Sequence, residues 1–138
     1  MANNIYEKGY KIVLTGTEEE RGTIKEVERL MEYPAVNCVG QTNLGMLAAL
    51  IKNAKMLLSN DTGVSHIAAA VRTPSVVIFL SSDPERWAPL NKKLHKVILP
   101  HQSQNINHVL LKTTHMLQLK EPITLLKKNA LVVNNGRS

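Results

Sequence analysis

Apolar residues recur along this chain with two alternating periods, one suited to buried strands and one to amphipathic helices. Lys11 to Gly16 (KIVLTG) is a short apolar run that ends on glycine and predicts a buried strand. Thr17 stands three residues ahead of Glu20, a capping-box spacing, and Ile24, Val27 and Met31 then follow on one helical face. Pro34 closes that helix, and Val36 to Gly40 predicts a second strand. Leu44, Leu47, Ala48 and Ile51 fall at i, i+3, i+4 and i+7, so the next helix buries one stripe. Lys55 to Asn60 reads as strand three and Gly63 to about Val71 as its helix. Ser75 to Leu80 (SVVIFL) follows Pro74 and is apolar on both faces, as a central parallel strand should be.

Beyond that point the signals weaken. Asp83-Pro84 is a cap followed by a proline at a first helical position, which predicts a short turn of helix through Trp87 as a packing anchor. Lys96 to Leu99 gives a fifth, edge-like strand, and Ile106, Val109, Leu110, Thr113 and Leu117 mark a closing helix. The expected organisation is one domain over residues 1–120 and a tail over residues 121–138, partly helical or frayed. Strands alternating with helices at short spacing predict a Rossmann-like three-layer α/β/α fold with a mainly parallel sheet of about five strands.

In such a sheet ligands collect beyond the carboxyl ends of the strands. Gly16, Gly40, Asp61-Thr62-Gly63 and Ser81-Ser82-Asp83 all fall at those ends. The stretch SNDTGVSHIAAA (59–70) is the most informative of them, because it joins a strand to a helix through a tight turn. A helix N-terminus gathers unpaired N–H groups and the positive end of a dipole, which suits a diphosphate. Gly63 permits close approach, Thr62 adds a hydroxyl and His66 sits one turn in. Asp61 and Thr62 also suit plain helix capping, which is compatible with a ligand contact. Ser81 and Ser82 are further cleft candidates.

Composition narrows the class. The 138 residues include one Trp, one Phe and three Tyr, a balance that fits helices layered on a parallel sheet. The single Cys38 excludes an internal disulfide and reads as a core residue rather than a nucleophile. His95, His101, His108 and His115 share no metal-ligand spacing with a carboxylate or thiol, so no metal is expected. No leader pattern opens the chain and no apolar run approaches the roughly 20 residues of a membrane span, so the expected setting is the cytoplasm. The net charge of +6 is uneven. Residues 86–138 hold nine Lys/Arg against one acidic residue, Glu121, whereas residues 1–85 hold eight against ten. No nucleic-acid motif accompanies that charge, and no nucleic-acid partner is expected.

From Gly16 to Pro89 the pattern resembles the C-terminal domain of glycosyltransferase family 9, the heptosyltransferases of lipopolysaccharide core synthesis. The resemblance is carried by Gly16 with Glu20-Arg21, by GQTNLGMLAALIKNAKMLLSNDTGVSHIAAA (40–70), by Thr73-Pro74 and by SSDPERWAP (81–89), in matching order and spacing. It implies the C-terminal half of a GT-B fold, in which two Rossmann-like domains face each other across a cleft. It implies a nucleotide-diphosphate sugar, typically an ADP-heptose, as donor and no metal or other cofactor. Asp61, Thr62 and Gly63 would hold the diphosphate and sugar, and His66 would reach the phosphate or sugar. Glu20 would bond the ribose, with Gly16 beside it and the loop around Thr42 lining the adenine. Thr17-x-x-Glu20 fits a capping box equally well.

The resemblance places the catalytic carboxylate in an N-terminal domain outside this chain, and a strand-loop with a sugar-contacting Lys just before residue 1. The glycolipid or glycan acceptor would be met through that other domain, at the inner face of the bacterial inner membrane and without a membrane span. Apolar cleft surface left bare by a missing partner half would favour a homodimer. Two departures stand out: Leu80-Ser81-Ser82 replaces the usual Gly-Pro-Thr, and Arg72 stands where a Gly commonly ends the helix. They keep open a second reading, a non-catalytic Rossmann-like module that docks a nucleotide or partner through its basic C-terminal surface.

Overall fold

The structure, a computed structural model, describes residues 6–7, 9–79, 81–99 and 130–134. Its first strand shows how one apolar run serves two cores. In β1 (Lys11–Thr15) Ile12 and Leu14 point to one face of the sheet and Val13 to the other, as strand alternation requires. A 3-10 turn (Glu18–Glu20) leads into α1 (Arg21–Leu30), which buries Ile24 completely against the Ile12–Leu14 face. That one side chain contributes about 2–3 kcal/mol by leaving water. β2 (Ala35–Asn37) follows, then α2 (Leu44–Asn53), whose Asn43 cap accepts the Met46 N–H at 2.9 Å.

β3 (Met56–Asn60) repeats the alternation, with Met56 and Leu58 in the α1-side core and Leu57 in the other. α2 and α3 (Gly63–Ala70) cover that second face through Ile51, Ala54 and Ala68. Helices on both faces of a parallel sheet make the expected three layers. β4 (Ser75–Ile78), the short α4 (Pro84–Trp87) and β5 (His95–Ile98) complete the first hundred residues. The Asp83 carboxylate caps α4 by accepting the Glu85 N–H at 2.9 Å, with Pro84 just inside the helix, as the Asp-Pro pair predicts.

Three expectations change here. Among the described residues the sheet has six parallel strands rather than about five, in the order β2-β1-β6-β3-β4-β5. The added strand is β6 (Ala130–Asn134), from within the segment expected to be a frayed or helical tail. It lies in the middle of the sheet: Val132 pairs with Val13 on one side and with Leu57 on the other. A stretch rich in β-branched residues satisfies its backbone better there than in water, because both of its edges find ladder partners. β2 also stops at Asn37, short of the expected Gly40. The helix expected over Ile106–Leu117 lies outside the described residues.

Helix α3 ends in a Schellman arrangement: Thr73 N–H bonds the Ala68 carbonyl at 2.9 Å and Arg72 N–H the Ala69 carbonyl at 3.2 Å. This closure puts Arg72 at φ 58, the left-handed region that glycine occupies without cost. An arginine there is strained by about 1 kcal/mol. Arg72→Gly should therefore raise the melting temperature, by about 4 °C in a thermal scan; a lower melting temperature would show that the side chain holds the turn through contacts instead.

A turn-built crevice at the carboxyl edge

The loops at the carboxyl ends of the strands converge, and hydrogen bonds tie them in pairs. Gly40 N–H bonds the Gly16 carbonyl at 3.0 Å, joining the turns after β1 and β2. A Cβ at Gly16 would stand 2.8 Å from Glu20 Oε2, so only glycine lets that carboxylate lie against the end of β1. Gly40 takes φ 68, and a Cβ there would collide with the Glu18 carboxylate. Glu18 is gripped by Arg21, whose Nη2 also donates to the Val39 carbonyl at 3.2 Å. The arginine contact lowers the Glu18 pKa and keeps its carboxyl ionised. Glu20 itself accepts the Thr17 N–H at 2.6 Å, so the capping-box reading of Thr17 and Glu20 describes this turn. Thr42 is half-buried in the loop that leads to the Asn43 cap.

The turns after β3 and β4 are joined more closely. Asp61 N–H bonds the Ile78 carbonyl at 2.9 Å, and the Ser82 hydroxyl donates to the Asp61 carboxylate. Ser82 is thus the residue that aims Asp61, a role the sequence did not single out. Thr62 stands at the N-cap of α3 with extended backbone, yet its side chain does not cap the helix. Its Oγ1 is buried and has no partner, and the same holds for Ser59 Oγ three residues earlier. The Thr62 carbonyl, by contrast, accepts both the Ser65 N–H at 3.0 Å and the Ser65 hydroxyl at 2.8 Å. A Cβ placed on Gly63 meets nothing within 4 Å, so the first turn of α3 opens onto free space.

His66 is exposed and lines a cavity beside α3 that also takes in Arg72, Arg86 and Trp87, whereas Asp61, Thr62 and Gly63 do not line it. Trp87 is 50% exposed, which corrects its expected role as a packing anchor: α4 is only one turn long and buries no residue. The adjacent Arg86-Trp87 pair in a capped surface turn is the signal that could have revealed this. Cys38 is half-buried against the Val13–Leu57 core, in keeping with a packing role. Among the described residues no three His, Cys, Asp or Glu side chains gather as a metal site would need.

Turns tied in pairs at the carboxyl edge, a helix N-terminus with an orphaned hydroxyl and an aspartate held by a serine form one coherent constellation. Residues 1–117 match the model of glycosyltransferase family 9 (heptosyltransferase). The chain belongs to that family. It is 33% identical over 98 residues to lipooligosaccharide heptosyltransferase 2 of Haemophilus influenzae, an alignment covering 67% of this chain and 28% of that protein. The solved E. coli ADP-heptose lipopolysaccharide heptosyltransferase II superposes with a TM-score of 0.75 at 26% identity, over 85% of this chain and 39% of the other. A family 9 glycosyltransferase from Veillonella parvula superposes with a TM-score of 0.77 at 20% identity, over 86% and 40% of the two chains, and supports the fold. This family 9 chain therefore spans well under half the length of these relatives.

Proposed function

We propose that this chain is the donor-binding half of a GT-B heptosyltransferase of lipopolysaccharide core synthesis, and that its carboxyl-edge crevice holds a nucleoside-diphosphate sugar of the ADP-heptose class. The observation that carries the reading is Thr62. A threonine at an N-cap ordinarily spends its hydroxyl on its own helix, but here Oγ1 is buried and unpartnered beside that helix's N-terminus. A diphosphate oxygen would supply the missing partner and meet the dipole at the same time. Asp61, fixed by Ser82, faces the sugar side; Gly63 leaves room for the phosphates; His66 adds a donor from the next turn. Glu20, set against Gly16, and the loop around Thr42 receive the nucleoside.

In the complete enzyme a carboxylate of the other half would remove the acceptor hydroxyl's proton as that oxygen attacks the anomeric carbon. Negative charge then builds on the departing diphosphate, where the α3 amides and Thr62 stabilise it without a metal ion. The acceptor would be a glycolipid or glycan met between the two halves, at the cytoplasmic face of the inner membrane. No described helix is long and apolar enough to cross a membrane. Leu44 and Met46, 72% and 57% exposed at the start of α2, would lie against the second half, or against another copy in a homodimer when that half is absent.

Calorimetric titration with ADP tests the reading. With one wall of the cleft missing, affinity should lie between high micromolar and millimolar, roughly −4 to −6 kcal/mol. Thr62→Val, which removes the orphaned hydroxyl at equal volume, should weaken ADP five- to tenfold and leave the melting temperature unchanged or higher. Unaltered ADP affinity in Thr62→Val would dismiss the proposed role of the hydroxyl, and no ADP binding by the unaltered chain would overturn the donor site as a whole.

A further inference from the structure

Alongside α3 runs a second concavity of about 660 Å³ that the donor reading does not use. Its lining includes His66 and Ala69, three apart on one face of α3, and Arg72 in the turn that ends the helix. α4 and the loop that follows it contribute Arg86, Trp87 and Leu90, and His95 at the start of β5 lines it as well. His66 is the single point where this groove meets the residues assigned to the donor.

The chemistry of the walls is lopsided. Arg72 and Arg86 both line the groove, and among the described residues no Asp or Glu does. Among the described residues neither Arg72 nor Arg86 stands in an ion pair; Arg21–Glu18 and Arg29–Glu26 lie elsewhere in the chain. His95 is buried, with Nδ1 2.7 Å from Ser75 Oγ, and loss of hydration lowers its pKa, which favours the neutral ring. Trp87 is half-exposed with the Arg86 guanidinium 5.8 Å from its ring centroid, and Leu90 is 97% exposed. A large flat aromatic and an aliphatic left in water beside two arginines form an amphipathic surface.

Arg72 adds a separate line of argument. Its left-handed backbone is a conformation that glycine would adopt freely, and the strain is retained at a residue that lines the groove. A residue that destabilises the fold at a place lining a charged cavity is a mark of use, read from the outlier toward function. Guanidinium pairs match phosphate and carboxylate oxygens in a planar, two-pronged geometry.

We propose that the groove between α3 and α4 binds a phosphorylated saccharide, with its phosphate between Arg72 and Arg86 and a sugar ring against Trp87. The choice of a saccharide over other phosphate-bearing rings rests on the donor-site reading, since His66 joins the two sites. The ligand is distinct from the donor: none of Asp61, Thr62 or Gly63 lines the groove.

The test uses the full 138-residue chain and three probes: mannose 6-phosphate, mannose and inorganic phosphate, each titrated by calorimetry, with ADP as reference. Mannose 6-phosphate should bind at least tenfold more tightly than either of its parts. Arg72→Gly and Trp87→Ala should each weaken it tenfold or more and keep ADP affinity within twofold. Arg72→Gly relaxes the backbone and Trp87 is half-exposed, so both variants should remain folded, which a thermal scan verifies. Equal binding of phosphate and mannose 6-phosphate would overturn the saccharide assignment. Unchanged mannose 6-phosphate affinity in both variants would remove the groove as its site, and a parallel loss of ADP affinity would show the groove to be part of the donor site. A chain that binds mannose 6-phosphate in this pattern but never ADP would sink the donor reading and leave the groove standing.

Discussion

Cutting the chain after residue 129 should abolish its cooperative thermal transition. β1 and β3 share no ladder of their own; among the described residues the backbone pairing of each with the sheet's other half runs through β6, by five residue pairs on one side and four on the other. Without β6 the sheet falls into a β2-β1 pair and a β3-β4-β5 group, and both inner edges lose their backbone partners. The α1-side core is divided as well, because Ile12 and Leu14 of β1 belong to the same cluster as Met56 and Leu58 of β3. Domains of this size have about 5–15 kcal/mol of stability in total, and two lost central ladders with an opened core exceed that. A milder cut makes the same point: Val132→Pro removes one central donor and should cost about 3 kcal/mol or more. Circular dichroism and proton–nitrogen correlation spectra of residues 1–129 check it. A sharp melt within a few degrees of the full chain would show that β6 is not required.

Gly63→Val should eliminate measurable ADP binding while the fold stays intact. Valine's Cβ would point into open space at the first turn of α3 and touch no protein atom within 4 Å, so the native packing has no objection to it. Replacing glycine inside a helix lowers the entropy lost on folding, and the melting temperature should hold or rise slightly. That same open space is where the diphosphate must approach the α3 amides. Two added methyl groups there hold the phosphates off by more than a hydrogen-bond length, and an affinity that starts near millimolar should weaken a further thirtyfold or more, about 2 kcal/mol. Gly63→Ala, with one carbon, should lose less. Titration beside a thermal scan separates the two effects. Wild-type ADP affinity in Gly63→Val would place the ligand elsewhere.

Much of the sheet could be read from local pattern because its strands are apolar on both faces. KIVLT, MLLSN and SVVI each sit between turn residues, and the helices between them carry clear one-sided stripes. What escaped depended on contacts distant in sequence or on side-chain aim. β2 ends early because Asn37 turns its own chain: its Oδ1 accepts the Val39 N–H at 3.0 Å while its Nδ2 donates to Glu28 at 2.9 Å. β6 was missed because the Asn135-Gly136 signal after ALVVN reads equally well as a frayed end, and its central place is decided by pairing with Lys11–Thr15 and Met56–Ser59. The candidate site was legible in the same uneven way. Asp61, Thr62 and Gly63 announce a turn into a helix, but the Ser82 bond to Asp61 and the idle Thr62 hydroxyl are facts of three dimensions. Glu20 was ambiguous in sequence, and the structure places it in the cap.

The position of β6 also sets a timetable. Each of the other five strands leaves the ribosome before β6 does, yet none of the inner two can finish its backbone pairing until β6 arrives. At usual synthesis rates the interval between β3 and β6 lasts several seconds, during which β1 and β3 present open edges of the kind that recruit strands from other chains. The pairing that ends this exposure spans nearly the whole chain, which makes it slow as well as late. Recovery of soluble protein should therefore depend on temperature and on chaperone supply during synthesis far more than on the stability of the finished fold.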